Sequence, residues 1–431
     1  MSLITLYRIR DEVELYLSVN QSGFRPFRST ADVVWTHRWF AAKAALSDIN
    51  IMITGIDMSS AFDTIDRELL LNILEQILGE DELRLIRFLL SDTHISLKVK
   101  GATIKQPFLS NVGTPQGDSL SPVLFILYLE AALREIRDLH DREDLIPSEV
   151  AYADDVDFIS MVQHKDINQV QQVLGKYNLL VNNDKTEYTN IKREAKTEDE
   201  TWRKVKKVGS LLGDEEDIDR RKTLSTLAMN KMLAIWIRKD KINQARRIHL
   251  YRALVRSILL YNCGTWAVTK DAEQKLDAFH RKQLKRVLGI KYPTVISNTE
   301  LYKKTGEQPI SSIMRKSRWE LFGHIMRRDR QIPAYMAMEL YFDTNSNGKG
   351  FRGKRRTTLP IKLQEDLDKT HNVTEVQTDH NYHKRIKLNN KADLEHLRSI
   401  AQDRKDWRTL TTRIRKAGEA GTPVDGPAKR P

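Results

Sequence analysis

Cysteine is nearly absent. The 431 residues hold one, Cys263, which excludes an intramolecular disulfide framework and a cysteine-rich zinc finger and suits a reducing, intracellular compartment. Long apolar runs are missing too. The longest, VLFILYL at 123–129, falls far short of the ~20 residues that span a bilayer, so it is expected as a buried helix segment and no membrane partner is expected. The N-terminal stretch MSLITLYRIRDEVELY meets charge within its first ten residues and shows no small-residue cleavage site after an apolar core, so secretion is not expected. No tandem repeat occurs at a fixed period. These absences leave a chain of 50.0 kDa with room for two or three domains, expected in the nucleus or cytoplasm.

Charge is plentiful and unevenly placed. Residues 1–200 hold 21 Lys+Arg against 32 Asp+Glu, a net of −11, whereas residues 201–431 hold 50 against 26, a net of +24. The total is +13. An acidic half followed by a basic half fits a metal-using catalytic part joined to a phosphate-gripping part, although basic helices also serve simply as solvated faces.

The most informative stretch is EVAYADDVDFIS at 149–160. Val150 and Tyr152 before Asp154 and Asp155, and Val156 and Phe158 after them, alternate at period 2, the pattern of a hairpin. Two adjacent acids at its turn repel each other, which makes sense if a divalent cation sits between them and a third acid. A solvated turn is the alternative, because Asp is a favoured turn residue.

Earlier in the chain, residues 3–17 have apolar residues loosely at helical spacing. In NQSGFRPFRSTADVVWTHRWFAAKA, Gly23 and Pro26 mark a loop and Ser29 or Thr30 an N-cap, with Asp32 in the first turn. Arg25 and Arg28 flank that loop, either as phosphate ligands near a helix N-terminus or as two surface arginines. INIMITGIDMSSAFDTIDRELLLNIL predicts a buried strand over 51–56, a polar turn and a helix. Asp57 ends the strand, placed to hold a metal or to cap the turn. Phe62 is expected to fill the space beside it, to serve as core, or both.

ISLKVKGATIKQPFL at 95–109 reads as a hairpin around a KGAT turn. It leads into NVGTPQGDSLSP, where Gly113, Pro115 and Gly117 form an uncrowded loop, with Ser121 expected as N-cap and Pro122 as first residue of a long helix. Gln116 is the side chain there with both a donor and an acceptor. A helix over 166–177 follows, with Asn178 suited to a left-handed end. Lys185 stands before a strand at 188–191, as surface charge or as a group reaching toward a pyrophosphate. KREAKTEDETWRKVKK reads as a charged surface excursion, and VKKVGSLLGD as a tight β-turn unit with Gly209 and Gly213.

From Thr223 to about Ile290 the pattern is helical and rich in lysine and arginine, and Trp236, Tyr251 and Trp266 serve either as core or as nucleic-acid stacking surface. Residues 310–330 predict another basic helix and 392–416 a final one containing Trp407. GKGFRGKRRT between them could grip phosphate, signal nuclear import or do neither. His371, His380 and His383 lie in a polar stretch without a supporting cysteine, and the tail from 417 is expected to be disordered.

Taken in order, GIDMSSAFDTI, GTPQGDSLSP, YADD, LLVNNDKTEY and KKVGSLLGD resemble the consecutive motifs of reverse transcriptases, and specifically those of non-LTR (LINE-like) retrotransposons. QSGFRPFRST resembles the segment before the first catalytic aspartate in that group. SILLYNCGTWAVTKDAEQKLDAFHRKQLKRVLGI, SRWELFGHIMRRD and AQDRKDWRTL resemble the region after the polymerase core. The resemblance covers roughly residues 20–410.

What it implies is an α+β fold: a right-hand polymerase palm, with an antiparallel sheet and packed helices, over 51–215, after a residual fingers segment over 1–50. A helical thumb over 216–295 and a basic, mostly helical nucleic-acid-binding region over 296–416 would follow, then the tail over 417–431. Asp57, Asp154 and Asp155 would form the metal triad for two Mg²⁺, with Mn²⁺ as substitute. Phe62 would disfavour a ribose 2′ hydroxyl. Gln116 and Gly117 would line the nucleotide and template pocket with Arg25 and Arg28. Lys185 would stand near the leaving group, and the Gly209 to Gly213 turn would be the primer grip.

The partners implied are an RNA template, a DNA primer or nicked target DNA, and deoxynucleoside triphosphates. Alanine before the double aspartate is usual in this group, whereas viral RNA-directed RNA polymerases more often have glycine. Full elements generally carry more fingers sequence before QSGFR and often an endonuclease domain, so target cleavage is expected from a separate protein. The alternative expectation is a truncated remnant that binds RNA or primer–template duplex without polymerising.

Neutralising the lysine and arginines of 351–356 is expected to weaken primer–template binding. A salt titration should show the slope of log K against log salt flattened by roughly 0.9 for each phosphate that is no longer neutralised.

Overall fold

The structure is a computed structural model that describes residues 1–91, 93–96, 98–99, 102–103, 107–139, 148–193, 201–237, 241–343, 356–371 and 386–420. Most of GKGFRGKRRT, His380, His383, the His371 side chain, residues 194–200 of the charged excursion and the tail from 421 lie outside the described residues. Two units emerge from internal contacts. The first comprises Met1–Val33, Asn50–Lys192 and Gln331–Met336; the second comprises Val34–Ile49, Arg193–Arg330 and the described part of Ala337–Pro431. Among the described residues no helix is long and apolar enough to cross a membrane.

In the first unit the predicted N-terminal helix is broken in two, α1 (Ser2–Arg8) and α2 (Arg10–Tyr16). The next helix, α3 (Thr30–Ser47), is started as expected: the Asp32 carboxylate accepts from the Ser29 amide at 2.8 Å and from its hydroxyl at 3.1 Å, satisfying groups that an open helix start would leave unpaired.

The strand predicted at 51–56 is β1 (Ile51–Ile56), and it lies between two neighbours in a four-stranded antiparallel sheet. Five of its six residues are buried, so both of its faces are covered, which explains its apolar run. Short β2 (Met58–Ser59), α4 (Arg67–Glu75) and α5 (Glu80–Leu90) follow. The hairpin at 95–109 forms as two nested pairings, β3 (His94–Ile95) with β6 (Phe108–Leu109) and β4 (Lys98–Val99) with β5 (Ala102–Thr103).

Next, α6 (Ser121–Asp138) carries the whole VLFILYL run into the core, as expected. Its cap differs from expectation. Asp118 Oδ1 accepts from the Leu120 amide at 2.7 Å, while the Ser121 hydroxyl turns back to donate to the Pro115 carbonyl at 2.7 Å. The serine therefore closes the preceding loop, and the aspartate serves the helix end.

The predicted aspartate hairpin forms from β7 (Glu149–Tyr152) and β8 (Asp155–Ser160). After α7 (Ile167–Lys176), Asn178 adopts the left-handed φ of 53° that was expected of it. β9 (Leu180–Val181) then pairs with β2, and β10 (Glu187–Ile191) closes the sheet in the order β10-β1-β8-β7. Its core joins α4 and α5 to α6, α7 and the sheet, with Phe125, Leu127 and Tyr128 fully buried.

The second unit, which takes in α3 from Val34 onward, also holds a two-stranded turn, β11 (Lys206–Lys207) and β12 (Ser210–Leu211). Helices follow: α8 (Asp214–Lys231), α9 (Leu233–Ile237), α10 (Gln244–Tyr251), a π-helical segment Arg252–Arg256, α11 (Ser257–Leu259) and α12 (Lys270–Leu288). Then come α13 (Asn298–Thr305), α14 (Ile310–Met326), α15 (Pro333–Tyr341) and α16 (Leu359–His371). The single final helix expected over 392–416 is instead a pair, α17 (Lys391–Gln402) and α18 (Arg404–Ala420).

Trp236, Tyr251 and Trp266 are all buried, which excludes them as nucleic-acid stacking surface and makes them core. Trp407 is core as well, donating its indole N–H to the Trp319 carbonyl at 3.1 Å. The α14 helix is basic in composition yet not a solvated face. Arg318 is buried against Asp366 at 2.7 Å and donates to the Trp266 carbonyl, while Arg315 stands 3.6 Å from the same carboxylate. Burial alone would raise the Asp366 pKa, but Arg318, Arg315, Lys362 and Lys369 outweigh it and hold the carboxyl below its usual value. Removing one partner from such a buried pair costs about 3–5 kcal/mol.

His280 on α12 is fully buried, stacked on Tyr251 at a ring distance of 5.9 Å, and neither ring nitrogen has a hydrogen-bond partner. Its Nε2 lies 3.7 Å from Glu307, whose carboxylate is taken up by Arg252 and Arg256. Burial, then Arg256 and Arg281, push its pKa down to about 3. An unfolded chain therefore takes up this proton near pH 6.5 while the folded one does not, so the stability His280 contributes is complete above pH 6.5 and is lost as pH falls toward 3. Replacing it, His280→Phe, should reduce the loss of unfolding free energy between pH 7 and pH 5 by about 2 kcal/mol, read from urea unfolding at the two pH values.

Candidate active site

The register of the sheet assembles the candidate carboxylates. β1 and β8 run antiparallel with Ile56 opposite Val156, and β7 and β8 with Tyr152 opposite Asp155. One step further along β1, Asp57 is level with Asp155, and Asp154 lies in the hairpin turn beside it. All three thus belong to one end of one sheet, although 97 residues separate Asp57 from Asp154. Asp57 and Asp154 are partly exposed and Asp155 is exposed.

The donor set suits a hard divalent cation, being carboxylate oxygen on side chains that solvent can reach. The side chains as they stand do not converge: among the described residues no three His, Cys, Asp or Glu side chains are gathered closely enough to hold a metal ion. Asp57 instead faces Lys185, whose Nζ lies 3.4 Å from its Oδ2. Lys185 ends a 3₁₀ turn, Asn183–Lys185, that is tied back to the same place, since the Asn182 amide donates to the Asp57 carbonyl at 2.8 Å. The lysine predicted at the site is therefore brought to it by main-chain pairing as well as by charge.

Phe62 is half-buried and wedged. Its ring stacks on Phe125 of α6 at 4.3 Å and meets Phe24 edge-on at 6.4 Å, and its carbonyl accepts from the Thr114 amide at 3.0 Å. The loop of Gly113, Pro115 and Gly117 crosses beside it. Gly113 has φ of 72°, and a Cβ there would stand 2.8 Å from the Asp63 carbonyl oxygen, so glycine is demanded by both backbone and space. Gln116 is exposed and its amide donates to Asp63 at 3.0 Å; Gly117, at φ 89°, is open on every side.

Sequence reasoning overlooked Arg67, at the start of α4. Its buried guanidinium donates to the carbonyls of Gly113, Leu90, Ser110 and Val112 at 2.8, 2.6, 2.7 and 3.2 Å. Burial lowers its pKa from the usual arginine value. This one side chain organises the loop that carries Gly113 to Gly117. Its position in a helix first turn, where an acid would be favoured, was the available signal.

Arg25, expected at a substrate phosphate, is placed differently. It is buried, paired with Glu14 at 2.9 Å, and donates to the carbonyls of Ser18 and Gln21, so its guanidinium braces its own loop. Arg28 donates to the Val19 carbonyl at 2.7 Å and is half-buried.

In the second unit Gly209, at φ 82°, and Val208, at φ 40°, form the turn between β11 and β12. The Gly209 carbonyl accepts from Arg220 at 2.8 Å and from Arg221, and Tyr261 donates to the Val208 carbonyl at 3.0 Å. Gly213 does not share that turn. It is the residue before α8, at an ordinary φ of −77°, and a Cβ there would stand 2.8 Å from the Arg203 Cβ.

Residues 3–213 match the family "Reverse transcriptase (RNA-dependent DNA polymerase)". A stretch of 121 residues is 26% identical to the "Retrovirus-related Pol polyprotein from type-1 retrotransposable element R2" of Popillia japonica, covering 27% of this chain and 19% of that protein. Among solved structures, telomerase from Candida albicans with a TWJ fragment of telomeric RNA is similar at 14% identity and a TM-score of 0.35, over 74% of this chain and 53% of that one. The corresponding Candida tropicalis telomerase is similar at 16% identity and a TM-score of 0.40, over 78% and 56%. The chain thus spans about a fifth of the curated relative and about half of each of these telomerase chains.

Gly113→Ala is expected to destabilise the chain by about 1–3 kcal/mol, through a left-handed alanine pressed against Asp63. A lowered midpoint in chemical denaturation checks it.

Proposed function

We propose that this chain, whose residues 3–213 match the reverse transcriptase family, is an RNA-directed DNA polymerase of the non-LTR retrotransposon kind that extends a primer 3′ end on an RNA template. The observation that carries the reading is the placement of Asp57, Asp154 and Asp155 at one sheet end, with Lys185 Nζ 3.4 Å from the first of them. The four-stranded sheet would be the palm and the helices after residue 216 the thumb, with the basic C-terminal region holding nucleic acid. The chain would act inside the cell, in nucleus or cytoplasm.

Asp57, Asp154 and Asp155 would hold two Mg²⁺ ions, or Mn²⁺ in their place, which supply the positive charge that activates a primer hydroxyl and offsets the charge of the departing pyrophosphate. Lys185 has a separate task. Its ammonium is two-thirds exposed on a flexible stem, so it can leave Asp57 for the leaving phosphates as charge stabiliser or proton donor. Phe62, held by Phe125 behind and Phe24 at its edge, would set a wall against a ribose 2′ hydroxyl and so favour deoxynucleoside triphosphates. Gln116 and Gly117, on the loop fixed by Arg67, would line the nucleotide and template pocket, with Arg28 nearby in sequence to the aromatic wall. The Val208–Gly209 turn would grip the primer.

A second reading, duplex or RNA binding without polymerisation, is favoured by one observation: the carboxylates do not converge as they stand. Primer extension by the full chain on an RNA template with Mg²⁺ separates the two. Deoxynucleotide incorporation that is abolished in Asp154→Asn/Asp155→Asn, with duplex affinity kept, is the expected result. Tight, salt-sensitive binding with no extension would support the second reading, and extension unaffected by the double variant would remove the aspartates from the chemistry. Phe62→Ala should raise ribonucleotide incorporation relative to deoxynucleotide.

A further inference from the structure

The turn that carries Asp154 and Asp155 is backbone-strained and needs outside support. Ala153, its first residue, has φ of 58°, in the left-handed region that alanine seldom enters, and it is buried. Within the hairpin, Tyr152 pairs with Asp155, which leaves the Ala153 N–H and C=O without a place in the ladder. Both groups are buried, so both need a partner.

Gln21 supplies it. Its Oε1 accepts from the Ala153 amide at 2.9 Å and from the Gly23 amide at 2.7 Å, and its Nε2 donates to the Ala153 carbonyl at 3.1 Å. The side chain is itself buried. Its backbone is fixed by a parallel bridge to β7: the Ala151 amide donates to the Asn20 carbonyl at 3.0 Å, and the Ser22 amide donates to the Ala151 carbonyl at 2.8 Å. Gly23 completes the fit, because a Cβ there would stand 2.2 Å from the Ala153 nitrogen. An amide side chain is the group that can serve an N–H and a C=O of one residue together; a carboxylate accepts only and a hydrocarbon does neither.

We infer that Gln21 is the positioning residue for the catalytic turn: it holds Ala153 left-handed and thereby sets the direction in which Asp154 and Asp155 present their carboxylates. The inference rests on the polymerase reading above. Asp154 is the next residue along the chain and Asp155 the one after, so a rotation at Ala153 moves both. Gln21 touches no substrate in this role. It acts through the backbone of the turn.

The test uses the full chain, unmodified and as Gln21→Met and Gln21→Glu, with four readouts: exchange of the Ala153 amide, kcat and KM for a deoxynucleotide, primer–template affinity, and Mn²⁺ binding followed by its electron paramagnetic resonance. The Ala153 amide should be strongly protected in the unmodified chain. Gln21→Met should lower kcat by roughly ten- to a hundredfold, as a small misplacement of reacting groups does, and weaken Mn²⁺ binding, while KM and primer–template affinity stay unchanged. Gln21→Glu keeps the acceptor and loses the donor, so its kcat should fall between the two.

Unmodified Mn²⁺ binding and kcat in a folded Gln21→Met chain would overturn the inference. So would an Ala153 amide that exchanges in the unmodified chain as fast as in a peptide, a result that decides the matter even if the variants do not fold. Failure of the polymerase reading is told apart by Asp154→Asn/Asp155→Asn: extension that survives that change defeats the reading, whereas extension lost there and intact in Gln21→Met defeats only the role of Gln21.

Discussion

The register between the first strand and the aspartate hairpin is the constraint on which the first unit depends. With Ile56 opposite Val156, Asp57 comes level with Asp155. A slip of one residue would turn every β8 side chain to the other face, taking Val156 and Phe158 out of the cluster they share with Ile56 and Phe125 and turning Asp155 toward it. Burial of those apolar residues, each worth about 1.5–3 kcal/mol when fully covered, therefore fixes the register and the carboxylate positions with it. The acids contribute nothing to this choice. They stand at the strand end, ahead of the buried run Val156–Ile159.

A sheet end is only as well defined as the loops around it, and here two buried polar side chains define them. Arg67 joins the carbonyls of Ser110, Val112 and Gly113 at the glycine loop to that of Leu90 at the end of α5, and Gln21 takes both main-chain groups of the left-handed turn residue. Both use the strong penalty on unpaired buried polar groups to hold a backbone that has no regular structure of its own. Phe62 adds a third fixed point through its stack on Phe125. The second unit follows the same rule at Asp366, where buried arginines that composition would assign to a solvated face join helix to helix.

Much of this was legible in the residues. The strand at 51–56, the hairpin around Asp154 and Asp155, the buried run at 123–129, the turn at Val208–Gly209 and the left-handed Asn178 follow from period, burial and turn chemistry that act within a few residues. The nearness of Lys185 to Asp57 followed from motif order and not from spacing, because it depends on β2 pairing with β9 across the chain. What was hidden is long-range and polar. Arg25 is written like a phosphate ligand and is consumed by Glu14; Arg67 and Gln21 look like ordinary surface residues until their carbonyl and amide partners, 23 to 132 residues away, are in place. The breaks at Ile9 and Asp403 were missed because the apolar period continues across them.

The central claim is that Asp57 and the Asp154–Asp155 pair share one divalent ion site. Replacing Mg²⁺ by Fe²⁺ in the full chain bound to primer–template and deoxynucleotide, then mapping where locally generated hydroxyl radicals cut the backbone, tests it most directly. The account predicts cuts in two separate segments, around residue 57 and around residues 153–156, both suppressed by excess Mg²⁺ and by Asp155→Asn. Cuts confined to one segment, or concentrated elsewhere in the chain, would contradict it.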